Sequence, residues 1–89
     1  MVSTAVLTLI GKPGCHLCDE AMDVVTSVVG ELAGVASAPS IEIEERSIFD
    51  DPDLLAAYAE EIPVLLLNGR VHTIWRVDAD RLRTALLEV

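Results

Sequence analysis

Positive charge and aromatic rings are what this chain has least of. Its 89 residues carry six Lys and Arg against fifteen Asp and Glu, a net charge of −9, and Lys12 is the only lysine. Phosphates would be repelled over most of such a surface, so neither nucleic acid nor an anionic membrane is an expected partner. A solvated acidic exterior that keeps a small domain soluble accounts for the charge by itself. One Trp, one Tyr and one Phe are the only aromatics, yet 52% of the residues are apolar. The core must therefore be built from Val, Leu, Ala and Ile, and their abundance argues against global disorder. No apolar run reaches the roughly 18 residues needed to cross a bilayer. The apolar segment Met1–Ile10 has neither a basic leading stretch nor a small-residue cleavage site, so a cytoplasmic location is expected. Internal repeats, low-complexity segments and linkers are absent, and the length suits one domain over residues 1–89, expected as a monomer.

Cysteine is scarce too, and informative: the two present lie three residues apart in Gly11-Lys12-Pro13-Gly14-Cys15-His16-Leu17-Cys18-Asp19-Glu20. An apolar run precedes them and a helical pattern follows. With Cys15 at the helix start and Cys18 in its first turn, both side chains share one face at a separation a disulfide can bridge. Unpaired backbone N–H groups and the positive end of the helix dipole would favour the first sulfur as a thiolate, the attacking species in disulfide exchange. Cys15 is thus the expected nucleophile and Cys18 the resolving thiol. In a reducing compartment such a pair is a working redox couple rather than a structural staple. Two plainer readings stand beside this one. Half of a zinc site would call on His16 and His72, but His16 lies inside the pair and His72 has no partner at ligand spacing. Two inert buried thiols are the other, and the strand-to-helix context favours redox chemistry over both.

The rest of the chain supplies a frame for that stretch. Ala5–Ile10 is nearly continuous in apolar residues, as in a strand buried on both faces. From Cys15 to about Leu32, the residues Leu17, Ala21, Val24, Val25, Val28 and Leu32 recur at helical spacing against an acidic remainder. Gly30, Gly34, Pro39 and Ser40 mark fraying helix and loop. Ile41–Glu45 alternates apolar with acidic, which fits a strand near a sheet edge with one wet face. Asp50-Asp51-Pro52 opens a short helix through Tyr58 or Ala59 whose expected inward residues are Leu54, Leu55 and Tyr58. Ile62-Pro63-Val64-Leu65-Leu66-Leu67, then Asn68-Gly69, then Arg70–Trp75 reads as a hairpin. Asp78 caps a last helix with Leu82, Ala85 and Leu86 inward. The order β-α-β-α-β-β-α predicts an α/β fold. It has a mixed four-stranded sheet with helices on both faces, the first two strands parallel and the last two antiparallel.

Cys-His-Leu-Cys after Lys12-Pro13-Gly14, together with Ile62-Pro63-Val64 and the Asn68-Gly69 hairpin, resembles the thioredoxin fold in its short glutaredoxin form over nearly the whole chain. More narrowly, Cys-His-Leu-Cys-Asp-Glu-Ala with Asp51-Pro52-Asp53-Leu54 is similar to small bacterial glutaredoxin-like proteins of uncharacterised function. The resemblance implies a thiol–disulfide oxidoreductase with Cys15 as nucleophile and Cys18 as resolving cysteine. It makes Pro63 a cis proline facing the disulfide and gives Ile62 backbone groups that pair with an extended substrate. It implies no cofactor beyond the Cys15–Cys18 disulfide. The substrate would be a disulfide-bearing protein or a small thiol, and the reductant glutathione, another thiol or a reductase. Glutaredoxins carry a Gly-Gly pair and an Asp after the hairpin, whereas this chain has Val71-His72-Thr73-Ile74-Trp75-Arg76-Val77-Asp78. Bulky side chains replace residues that let a peptide backbone approach closely, which leaves glutathione binding in the familiar pose open. Lys12 and Asp78 remain to hold one end each of such a ligand.

His16 either tunes the Cys15 thiolate or is solvated in the first helical turn, and Lys12 would act on the thiolate in the same sense. Trp75 is expected on the core or a sheet face rather than as a substrate platform, and His72 as an exposed strand residue. A reading from another class keeps the fold as a binding module with a redox-sensing or metal-holding pair. Arsenate-reductase-like chemistry lacks the basic cluster an oxyanion requires.

Overall fold

A computed structural model describes residues 3–89 of the chain. Met1 and Val2, the first residues of the apolar segment Met1–Ile10, lie outside them. The elements are β1 (Thr4–Gly11), α1 (His16–Leu32), β2 (Ser40–Ser47), α2 (Pro52–Tyr58), β3 (Val64–Leu67), β4 (Arg70–Ile74) and α3 (Ala79–Leu87), in the order the sequence predicts. The sheet runs β2-β1-β3-β4, with β1 parallel to β2 and antiparallel to β3, and β3 antiparallel to β4. This is a mixed four-stranded sheet with helices on both faces, a thioredoxin-like fold.

The run Ala5–Ile10 is apolar at nearly every position because β1 has a neighbour on each side and is covered on both faces. Ala5, Leu7 and Leu9 point to a core made by Val25, Val28 and Leu32 of α1 with Leu82 and Leu86 of α3. Ile10 points the other way, into a smaller cluster of Ile48 and Val64 backed by Leu54 and Tyr58 of α2. Across the helix layer, Arg83 joins Asp80 at 2.7 Å and reaches from α3 to Glu31 of α1 at 2.8 Å. Exposed pairs of this kind fix orientation more than they stabilise. As expected, β2 lies at a sheet edge. Its Ile41 and Ile43 register against Ala5 and Leu7, but only Ile41 is half-buried, and Ile43 is exposed along with Glu42 and Glu44.

The Asn68-Gly69 turn has φ of +52° and +83°, the left-handed pair that a two-residue hairpin requires. Asn68 does more than turn the chain. Its Oδ1 accepts the Val6 N–H at 2.8 Å and its own N–H donates to the Val6 carbonyl at 2.8 Å, tying the hairpin tip to β1.

Three expectations, two of inward side chains and one of an exposed one, fail for local reasons. Leu17 is 44% exposed because the buried stripe of α1 starts at Cys18 and continues through Ala21, Val25, Val28 and Leu32. Leu55 is exposed because the seven residues of α2 touch the sheet only along Leu54 and Tyr58. His72 falls on a bulge: Leu65 pairs with Thr73 and Leu66 with Val71, so no residue opposes it. It is half-buried rather than exposed, and its Nε2 has no hydrogen-bond partner.

Two outcomes follow from this packing. Leu7→Ala should cost about 2–5 kcal/mol in urea unfolding, whereas Leu55→Ala should stay within about 0.5 kcal/mol. Burial, with Arg81 adding to it, holds the His72 imidazole below its ordinary pKa of 6.5. Unfolding then takes up a proton below pH 6.5, so this contribution to stability is complete above 6.5 and is lost as pH falls toward the folded pKa. Urea midpoints at about pH 7.5 and about pH 5 should therefore converge in His72→Gln relative to the native chain.

Candidate active site

The central strand delivers the sulfur pair. β1 ends at Gly11, Lys12-Pro13-Gly14 turns the chain with Gly14 at φ +72°, and Cys15 becomes the N-cap of α1 with extended backbone. Cys15 Sγ accepts the backbone N–H of Cys18 at 3.2 Å, and the Cys15 carbonyl accepts the N–H of Asp19 at 3.1 Å. Cys15 and Cys18 are joined as a disulfide with Cα atoms 5.2 Å apart. Cys18 is buried at 8% exposure, and Cys15 is half-buried. One sulfur is thus open and polarised by the helix N-terminus while the other is sheltered, the arrangement that dithiol exchange requires.

Gly11 is the residue that permits it, and the sequence reading passed over it. A Cβ there would lie 2.7 Å from Cys18 Sγ and 3.0 Å from Cys18 Cβ. The only sequence signal for this is a glycine ending an apolar strand a few residues before the first cysteine.

Two hollows flank the start of α1. On the β2 side a cavity of about 420 Å³ reaches Cys18 and is bordered by Lys12, Asp19, Glu45, Arg46 and Asp50. The last three were not foreseen, since only the parallel pairing of β1 with β2 brings them there. On the β4 side a groove of about 180 Å³ is lined by Leu17, Glu20, Val24, Trp75, Arg76 and Val77. The Ile62–Pro63 bond is cis, with Pro63 buried and Ile62 half-buried. The Pro63 carbonyl accepts the Trp75 N–H at 2.8 Å, tying the β4–α3 loop to the start of β3.

Lys12 and Asp78 line different hollows. Asp78 caps α3, its Oδ1 accepting the Arg81 N–H at 2.9 Å, and borders a shallow depression with His72 and Arg81. His16 turns outward. Its side chain is 88% exposed and its Nε2 lies 3.4 Å from Glu20 Oε1. Trp75, expected on the core or a sheet face, is 55% exposed just past the end of β4 and has φ +67°. Its ring is fixed by a 3.3 Å hydrogen bond from Nε1 to the Glu60 carbonyl. A local positive φ at Trp has no sequence signal, because glycine or asparagine is the residue expected there. Among the described residues, no group of three or more His, Cys, Asp or Glu side chains is placed to hold a metal ion. Nor is any described helix long and apolar enough to cross a membrane.

Residues 6–87 match the family model described as glutaredoxin-like domain (DUF836). Uncharacterised proteins of Mycobacterium tuberculosis and Mycobacterium bovis are 31% identical over 75 residues, covering 84% of this chain and 75% of theirs. An X-ray structure of a protein from X. campestris is 34% identical, with a TM-score of 0.68 over 93% of this chain and 97% of that one. A solution structure from Nitrosomonas europaea shares the fold at 23% identity, with a TM-score of 0.76 over 97% and 95% of the two chains.

Gly11→Ala should lower stability by about 1–3 kcal/mol in urea unfolding of the oxidised protein, because the sulfur pair or the strand end must move. Gly30→Ala, on α1 with no atom within 4 Å of its added Cβ, should instead gain about 0.5–1 kcal/mol.

Proposed function

The chain belongs to the glutaredoxin-like domain family, and from that premise we propose that it is a cytoplasmic thiol–disulfide oxidoreductase acting on disulfides of proteins or small thiols. The observation that carries this reading is Cys15 as N-cap of α1, its sulfur accepting the Cys18 N–H, with Cys18 sheltered beneath it. In the reduced protein the Cys15 thiolate attacks a substrate disulfide. A mixed disulfide forms, and the first substrate sulfur leaves as a thiolate and takes a proton. The Cys18 thiolate then attacks Cys15 Sγ, closes the Cys15–Cys18 disulfide and expels the second substrate sulfur. The substrate gains two electrons and two protons, and two equivalents of a thiol donor, or one dithiol, restore the protein.

Exchange is collinear at sulfur, so the open face of Cys15 receives the substrate while Gly11 and β1 cover Cys18. The backbone of Ile62 beside Pro63 is the proposed partner for an extended substrate. Lys12, with no ion pair among the described residues, is the cation nearest in sequence to the forming thiolate. Asp78 is committed to its cap and would meet a ligand only through its second oxygen. His16 turns outward, with its Nε2 3.4 Å from Glu20 Oε1. The helix N-terminus, with Cys15 as its N-cap, favours the thiolate at that position.

Cys15→Ser should abolish reduction of hydroxyethyl disulfide with a dithiol donor. Cys18→Ser should accumulate a covalent protein–substrate adduct, visible by intact mass. A native protein no faster than the uncatalysed background would overturn the assignment.

A further inference from the structure

Scarcity of aromatics makes the position of Trp75 informative. The chain has one Trp, and it is 55% exposed, beside the disulfide helix rather than in the core. It is also held firmly: its N–H donates to the Pro63 carbonyl at 2.8 Å and its Nε1–H to the Glu60 carbonyl at 3.3 Å. Its φ of +67° is a conformation side chains rarely adopt, and such a conformation persists only where surrounding bonds enforce it. Facing it across the groove is Leu17, 44% exposed and lying between the two cysteines in sequence. Val24 and Val77 extend the apolar lining.

The size and charge of the groove point to its occupant. About 180 Å³ is below the roughly 300–1,000 Å³ typical of small-molecule pockets, and suits a single apolar side chain of a longer chain. Fixed, exposed Trp residues are the kind of group on which protein interfaces concentrate their binding energy. Glu20 is the acidic residue lining the groove among the described residues, paired with the exposed His16, and Asp23 of the same helix has no ionic partner among them. Arg76 is the one cation lining the groove among the described residues. With a net charge of −9 behind it, this surface favours a basic segment.

Resting on the oxidoreductase reading, we propose that Leu17 and Trp75 form a subsite for an apolar side chain next to the reacting cysteine of a polypeptide substrate with basic flanks. Polypeptide disulfides, rather than small-thiol disulfides, are then the favoured substrates.

The test uses short lysine-flanked peptides with one cysteine preceded by Leu or by Ala, supplied as symmetrical disulfides, with hydroxyethyl disulfide alongside. The native protein should reduce the Leu peptide at least about tenfold faster in kcat/KM than the Ala peptide. Trp75→Gly and Leu17→Ser should each bring that ratio close to one. Serine versions of the peptides report docking without chemistry. The Leu version should shift Trp75 emission to the blue in the native protein, the Ala version should not, and glutamate in place of lysine should weaken the response severalfold. Absence of a shift, equal rates for the two peptides, or equal binding of the glutamate peptide would overturn the subsite. If hydroxyethyl disulfide is still turned over through Cys15, the oxidoreductase reading survives that result. Failure of all turnover with an intact fluorescence response would sink the oxidoreductase reading and leave the docking surface standing.

Discussion

Cys18 Sγ rests against the end of β1 at a distance that no side chain on residue 11 would allow. That contact sets how closely α1 approaches the sheet, and with it the depth of the whole buried stripe from Cys18 to Leu32. It also divides the sulfur pair into an open member and a covered one. β1 is central and packed on both faces, so Cys18 is backed by a strand with a neighbour on each side. The helix end that carries the disulfide is thus mounted on the best-covered strand of the sheet.

The two hollows beside the disulfide differ in character because the sheet is asymmetric about α1. On one side β2 contributes charged residues from its C-terminal end, Glu45 and Arg46, so the cavity beside Cys18 is polar. On the other side the β4–α3 loop contributes Trp75 and Val77, and the groove is apolar at its centre. A single helix terminus therefore meets two unlike surfaces. The disulfide is common to both, while the side chains around it differ from one side to the other.

Much of this was legible in the sequence, and the residues show why. The unbroken apolar run of β1 announces burial on two faces, and Asn68-Gly69 announces a hairpin because few other residues accept two positive φ values in succession. The helix at Cys15 was legible from spacing alone. What escaped notice depends on contacts between distant segments. Leu17 and Leu55 have the right spacing to point inward, but nothing in the sequence says where an apolar stripe begins or how few residues of a short helix reach the sheet. His72 escaped because a bulge adds one residue to one strand and leaves no mark in composition. Trp75 escaped because its size suggested burial, whereas backbone bonds to Pro63 and a ring bond to Glu60 hold it outside.

β1 is the first strand in the chain, yet it stands in the middle of the sheet. Its partners arrive about thirty-five and sixty residues later, and the Asn68 amide reaches Val6 across a sequence separation of 62. An emerging polypeptide can therefore pair one edge of this strand once residues 40–47 are made, while the other edge waits for residues 64–67. High contact order of this kind slows folding and leaves no early fragment with a closed core. The sheet closes around the strand that leads to the disulfide only when its second neighbour, β3, arrives.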